Sequence, residues 1–377
     1  MGNYLKYREA AKQSFAALPY PVWKRIGFGG YEVPAPESAS AEARAEIVSE
    51  IPLAGLESLS EEQAQAFYQR INQYKYGVDP KFVHLTEGWS NFSRVYHLKR
   101  NQVAAEPIHI CFDLSGEALL ADEHLIYAEP GAEMTLVLEY RAQKADVPKA
   151  GEYHVGLIKV IAGENAQIKV YVAQTLPENK VHIMNAVAEC AADAKVSFYT
   201  VDLGAEVVAS DYHSYLLGES AAGAMEGVYL GEAENRLDLS YNIQHYGVRT
   251  DSFIEVNGAL AGSAKKVFRG DIYFHKGSGQ STGREAEYVI LLSENARADA
   301  IPALFCDEDD VSGEHAANAG TVDENKMFYL MSRGFTEAEA KKLIIRASFS
   351  GVFDQLPLPD LTERMEKELE GKLGNVR

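Results

Sequence analysis

Ile168-Lys169-Val170-Tyr171-Val172 alternates polar with β-branched and aromatic side chains, the period and the chemistry of a β-strand. Thr135-Leu136-Val137-Leu138 before it and Lys195-Val196-Ser197-Phe198-Tyr199 after it share this texture, which runs from about Phe82 to Phe305. Small-residue turns recur beside these stretches: Glu129-Pro130-Gly131-Ala132, Glu164-Asn165-Ala166, Glu189-Cys190-Ala191, Glu219-Ser220-Ala221 and Glu294-Asn295-Ala296. Their period is irregular, but short strands between small turns predict the stacked coils of a β-solenoid, in which each coil buries its apolar face on the next. His154, His182, His213, His245 and His275 recur at about thirty residues, a spacing that fits either stacking on coils or ordinary strand-end histidines.

Helical patterns flank this body. Tyr4 to Ala17 is helix-compatible and stops before Pro19-Tyr20-Pro21, and Pro34, Pro36 and the Ala/Ser/Glu stretch after them read as a linker. Ser60-Glu61-Glu62-Gln63 has the form of a capping box and predicts a helix through Ala66, Phe67, Ile71 and Tyr74. Beyond Cys306, Asp323 caps a segment closed by Gly334, and Thr336-Glu337-Ala338-Glu339 is a second capping box. Leu343, Ile344, Ala347 and Phe353 are expected to form the apolar stripe of that next helix, and Asp360 opens a last, charged one. The expected layout is a helical region over 1–80, a β-helix core over 81–306 and a helical module over 307–377.

Of the 377 residues, 46% are hydrophobic and 24% charged, so a sizeable core forms without metal or disulfide staples. Fifty-five acidic against 36 basic side chains give a net charge of −19. Such a surface repels phosphate backbones and anionic lipid, and Lys265-Lys266 and Lys341-Lys342 are isolated basic pairs rather than a patch. Three scattered cysteines, Cys111, Cys190 and Cys306, fit reduced thiols, and the opening residues lack the apolar stretch of a signal peptide. The expectation is a cytoplasmic protein without nucleic-acid or membrane partners.

Most catalytic signatures are absent. There is no GxxxxGK[ST] phosphate loop, HExxH or GxSxG, and Gly277-Ser278-Gly279-Gln280-Ser281-Thr282-Gly283 reads as a turn between strands. Asp307-Glu308-Asp309-Asp310 offers oxygen ligands to a hard cation but reads better as a solvated acidic loop. A β-solenoid alone would also suit a carbohydrate-active enzyme, which needs convergent carboxylates that a sequence does not display.

The most specific text is Gly313-Glu314-His315-Ala316-Ala317-Asn318-Ala319-Gly320, followed by Asp323-Glu324-Asn325-Lys326-Met327-Phe328-Tyr329-Leu330-Met331-Ser332-Arg333-Gly334-Phe335 and Glu337-Ala338-Glu339-Ala340. This resembles the C-terminal signature of the SufB/SufD family of SUF iron–sulfur assembly subunits: a histidine in a small-residue loop, a "DE…lFYLmSRG" helix and an "EEA" helix. Val267-Phe268-Arg269-Gly270-Asp271-Ile272 resembles the family's "GVFxGxI" strand, Gly277 to Thr282 its "GAQxT" turn, and Leu291-Leu292-Ser293-Glu294-Asn295-Ala296 its "LLLSxxA" turn.

The resemblance implies a mainly β fold, a right-handed parallel β-helix with N- and C-terminal helical parts, and a non-enzymatic scaffold role. It implies a SufB-like paralogue paired at the β-helix end, a SufC-type ABC ATPase docked on the C-terminal module around Ser332, Arg333, Gly334 and Phe335, and a transient iron–sulfur cluster shared with the paralogue. SufB-type chains carry a sulfur-accepting cysteine where Glu287 stands here, and a glutamate where Ala316 stands. SufD-type chains contribute a histidine, matched by His315; some add a cysteine two residues before it, where this chain has Gly313. The resemblance is therefore to the SufD side, with His315 as the candidate cluster or iron ligand and Glu287 and Glu314 as weaker candidates. Cys306, beside Phe305 at an expected strand end, reads as a buried, inert thiol. A self-pairing homodimeric scaffold and a β-helix carbohydrate-active enzyme remain the alternatives.

Overall fold

The computed structural model describes residues 3–22, 33, 45–49, 60–114, 119–142 and 152–374. The linker expected around Pro34 and Pro36 lies outside them.

Two sheets face each other along the length of the molecule. The first is ordered β1 (Ala45–Val48), β3 (Ile108–Asp113), β5 (Glu133–Arg141), β7 (Gln167–Thr175), β9 (Lys195–Asp202), β11 (Ala222–Gly231), β13 (Asp251–Leu260), β15 (Ser281–Leu291) and β18 (Val311–Gly320). The second is ordered β2 (Phe92–Leu98), β4 (Leu119–Ala128), β6 (Glu152–Ala162), β8 (Lys180–Cys190), β10 (Val207–Leu216), β12 (Arg236–His245) and β14 (Lys265–Phe274), ending on β16 (Arg297–Ala300) and β17 (Ala303–Cys306). The chain alternates between them, and neighbours pair in parallel except β1, which runs antiparallel to β3. This is the β-solenoid that the alternating strands predicted. The strand repeat continues to Gly320, past the expected boundary at 306, so the Gly313–Gly320 signature is a strand rather than a loop.

One corner of each coil uses a residue with positive φ: Asn101, Gly131, Asn165, Asp193, Ser220, Arg249 and Gln280. Their backbone N–H groups donate in turn to Pro130, Glu164, Ala192, Glu219, Val248, Gly279 and Asp310, each on the next coil. A left-handed conformation costs a side-chain-bearing residue about 1–2 kcal/mol, which these inter-coil bonds offset. The turns expected at Gly131, Asn165 and Ser220 lie on this corner. Glu189 and Cys190 instead finish β8, with the turn at Asp193, and Glu294-Asn295 turns at the opposite corner, between β15 and β16.

At the same corner two glycines let backbone meet backbone. A Cβ on Gly247 would lie 2.0 Å from the Gly218 carbonyl oxygen, and one on Gly218 would lie 2.0 Å from Ala192 N. Neither neighbour is a side chain that could swing away. Gly247→Ala is expected to lower unfolding free energy by about 1–3 kcal/mol, read as a drop in urea midpoint.

The interior between the sheets is packed with inward-facing apolar residues such as Leu136, Val170, Phe198, Tyr212 and Phe268. Helices cover both outer faces, which is why strands such as β8 are buried throughout. The helices α1 (Asn3–Ala17), α2 (Glu61–Ile71) and α3 (Pro80–Trp89) lie on the second sheet, with the expected capping box at Ser60. Beneath α3 the buried Lys159 ammonium donates to Glu87 (2.7 Å) and Glu123 (3.1 Å).

The first sheet is covered by α5 (Glu337–Phe353) and α6 (Pro359–Leu373). Arg364 donates to Glu139 on β5 (2.7 and 3.0 Å), and Lys372 pairs with Glu232. The α5 stripe differs from expectation. Ile345, Phe349, Val352 and Phe353 are the buried face, whereas Leu343 and Ala347 are exposed. Adjacent Ile344 and Ile345 allow two apolar faces on one helix, and packing on the sheet selects the one through Ile345. The helix α4 (Glu324–Ser332) precedes α5, capped by Asp323, whose carboxylate accepts from Asn325 N (2.9 Å) and Lys326 N (3.2 Å), and closed by Gly334 at φ +98°.

Among the five spaced histidines, register seats His154 directly over His182, inside the solenoid. His245 also faces inward and is buried, whereas His213 is only partly buried and His275 follows the end of β14. The repeat spacing is real, but faces alternate along each strand, so it does not make one ladder.

Candidate functional site at the open end

Both sheets terminate at the end of the solenoid formed by the last coil. On the first sheet, β18 pairs with β15 and, among the described residues, no strand pairs with its other edge. Almost all of β18 is exposed, His315 included. On the second sheet, the last coil is split: β16 pairs with Lys265–Phe268 and β17 with Asp271–Phe274, so Ile301-Pro302 interrupts the strand opposite Arg269 and Gly270.

Register fixes what surrounds His315. Its partner on β15 is Glu285, and Gly313 and Ala317 pair with Gly283 and Glu287. Paired residues of parallel strands share a face, and successive residues alternate. His315 thus shares the inward face with Glu285 and Glu287, while Glu314, paired with exposed Arg284, projects from the other side. Glu314 and His315 do not converge on one ion within this strand.

Glu287 has partners. Its carboxylate forms a buried ion pair with Lys266 and accepts from the Tyr229 hydroxyl (3.3 Å). Burial pushes the Glu287 carboxyl up and the Lys266 ammonium down. Glu285 lies two residues away with neither carboxylate oxygen hydrogen-bonded, and burial, with the nearby Glu287 charge, pushes it up to about 8. Sequence reading passed over Glu285, although Glu285 and Glu287 at i, i+2 on an inward-facing strand were the available signal.

At Gly313, a Cβ would approach Leu304 Cδ2 to 2.7 Å, so the Leu304 side chain occupies the space a cysteine would need. Cys306, expected to be buried, is exposed, because among the described residues no further coil covers β17. Cys111 and Cys190 are buried, and burial pushes both thiols up to about 12. Among the described residues no three His, Cys, Asp or Glu side chains come together to hold a metal.

A second surface lies on α4 and the turn after it. Phe328 is 76% exposed and Tyr329 57%, and Met331, Phe335 and Leu343 are exposed beside them. Ser332 Oγ donates to the Tyr329 carbonyl (2.7 Å), and the Arg333 guanidinium lies 5.4 Å from the Tyr329 ring centre. Tyr329 and Leu330 also line a shallow groove with Leu343, Ile344 and Ala347 of α5.

The SufBD core domain of the SUF iron–sulfur cluster assembly system matches residues 112–348, which cover β4 to β18, α4 and most of α5. The chain belongs to the SufBD family. It is 28% identical over 260 residues to the iron–sulfur cluster assembly protein SufD of Bacillus subtilis, a match covering 69% of this chain but 59% of that protein. A SufBD family protein of Mycobacterium tuberculosis is 25% identical over 75% of this chain and 72% of its own length. Another, from Staphylococcus epidermidis, is 24% identical over 98% of this chain and 83% of its own. Membership ties the SufBD core to iron–sulfur cluster assembly and removes the support for an unrelated β-helix carbohydrate-active enzyme. No helix among the described residues is long and apolar enough to cross a membrane.

Proposed function

We propose that the chain is a SufD-like scaffold subunit, which pairs through β18 with a SufB-like paralogue and presents His315 to a nascent iron–sulfur cluster shared between the two. The observation that carries this reading is the edge of β18, unpaired among the described residues, with His315 exposed on it. An unpaired strand edge is a template for another chain, and an exposed imidazole is a suitable iron ligand. A scaffold that must release its cluster is served by an incomplete ligand set on each chain.

In this proposal α4 and the Ser332–Phe335 turn dock a SufC-type ABC ATPase. Aromatic side chains as exposed as Phe328 and Tyr329 are the kind of anchors that dominate interfaces. With α5 and α6 fastened to the first sheet, motion received at α4 reaches the wall that carries β18.

The test is co-expression with the SufC-type and SufB-like chains of the same genome, with the mass measured by chromatography and light scattering. Stable hetero-complexes are expected, and Phe328→Glu should weaken ATPase docking at least about tenfold, roughly 1.4 kcal/mol, without changing the melting temperature. A homodimer that excludes the SufB-like chain would replace hetero-pairing by self-pairing. Failure of the folded chain to hold the ATPase would remove the docking role.

A further inference from the structure

Glu285 is 2% exposed and neither of its oxygens has a hydrogen-bond partner. A buried polar group left unpaired costs about 1–3 kcal/mol, and each instance in a native structure calls for a reason. The other inward-facing carboxylate of β15, Glu287, shows the ordinary solution, a lysine and a tyrosine hydroxyl. Glu285 has no such solution, although it stands one coil from the open end.

Three features of the opposite wall make room for it. Gly270 lacks a side chain where the carboxylate lies: a Cβ there would come within 2.7 Å of Glu285 Cγ and 2.9 Å of Oε1. The strand that would close the coil over Gly270 is interrupted at Ile301-Pro302. Proline lacks the N–H that a continuous ladder would require there. On its own sheet, Glu285 pairs with His315, one strand spacing of about 4.8 Å away and on the same face.

We propose that Glu285 and His315 form a two-ligand half-site for a ferrous ion, beside the break at Ile301-Pro302, with its remaining positions filled by water or an apposed chain once the ion draws the buried carboxylate toward His315. Carboxylate oxygen and imidazole nitrogen are a donor pair suited to divalent iron. Among the described residues no third ligating side chain joins them, which makes this a loading site rather than a closed structural one. The inference rests on the reading of His315 as a group that faces incoming iron.

The experiment is anaerobic titration of the full-length chain with ferrous ion, followed by calorimetry, and with Co²⁺ followed by visible absorption. One ion per chain is expected, with affinity reduced at least tenfold in both Glu285→Gln and His315→Ala. Glu314→Gln, on the opposite face, should bind as the unaltered protein does. Gly270→Ala supplies an independent variant, because its methyl would displace the Glu285 carboxylate, and it too should bind at least tenfold more weakly. Unchanged affinity in a folded Glu285→Gln or Gly270→Ala protein, or no ferrous binding by the unaltered chain, overturns the half-site. Failure of the scaffold reading would show separately, in the mass of the co-expressed complex, since ferrous binding by the isolated chain does not depend on that assembly.

Discussion

Asp122→Ala is expected to lower the unfolding free energy by about 3–5 kcal/mol, the range for removing one partner of a buried charged network. Asp122 is fully buried between the sheets, and three groups donate to it: His154 Nε2 at 2.5 Å, His124 Nε2 at 2.9 Å and the Tyr140 hydroxyl at 2.7 Å. His124 Nδ1 in turn accepts from the Tyr96 hydroxyl (2.8 Å), and His154 Nδ1 shares one proton with His182 Nδ1 (2.8 Å). Alanine would leave three donors in a dry interior with no acceptor, so the cost exceeds that of one lost hydrogen bond. Urea unfolding of both proteins measures it.

The pH dependence has a defined sign. Burial alone would raise the Asp122 carboxyl, but the charge of His154 and the bonds from both histidines hold it well below the usual range. Its contribution is therefore present above the unfolded value near 4 and is lost as pH falls through the lower folded value. The gap between the unaltered protein and Asp122→Ala should narrow below about pH 4. Burial also holds His182 neutral, well below its ordinary value, so its contribution fades as pH drops below about 6.5, where the unfolded chain takes up a proton. Asp202, pushed up to about 7 by burial, and Glu285, at about 8, retain protons in the folded state and act in the opposite sense between about pH 4 and 8. The comparison between variant and unaltered protein isolates Asp122 from them. An equal gap at pH 3 and pH 7 would show that Asp122 acts through packing alone.

The solenoid was legible because alternation and turn chemistry are local: Ile168 to Val172 needs no distant partner to read as a strand. The caps at Ser60, Asp323 and Thr336 were legible for the same reason, each being a side chain that bonds within its own helix turn. What was not legible depends on other coils. Cys306 looks like a strand-end core thiol until the stack is seen to stop at β17. Ile344 and Ile345 compete for the core until the sheet beneath chooses one. Glu285 and Glu287 look alike in sequence; their difference is a lysine 21 residues away, on β14, for one and a glycine on the same strand for the other. The candidate histidine was singled out through its signature, but its environment belongs to register, which a single sequence does not reveal.

His315→Ala should reduce cluster formation on the intact complex at least about tenfold, the lower bound for losing a metal ligand if even an outer-shell partner costs 10–100-fold. The mass of the complex should not change. The side chain is exposed on an edge strand, so truncating it removes no core contact, and surface changes of this kind alter stability by about 0.5 kcal/mol or less. Loss of assembly with an unchanged complex would therefore report ligation rather than folding. The informative contrast is Cys306→Ser on β17. Cys306 and His315 are both exposed on the last coil, and thiolate is the stronger ligand for an iron–sulfur cluster. With His315 as the cluster-facing group, Cys306→Ser should assemble clusters at the unaltered rate. If Cys306→Ser abolishes assembly and His315→Ala does not, the cluster lies against the second sheet instead, and the pairing surface moves from the edge of β18 to that of β17.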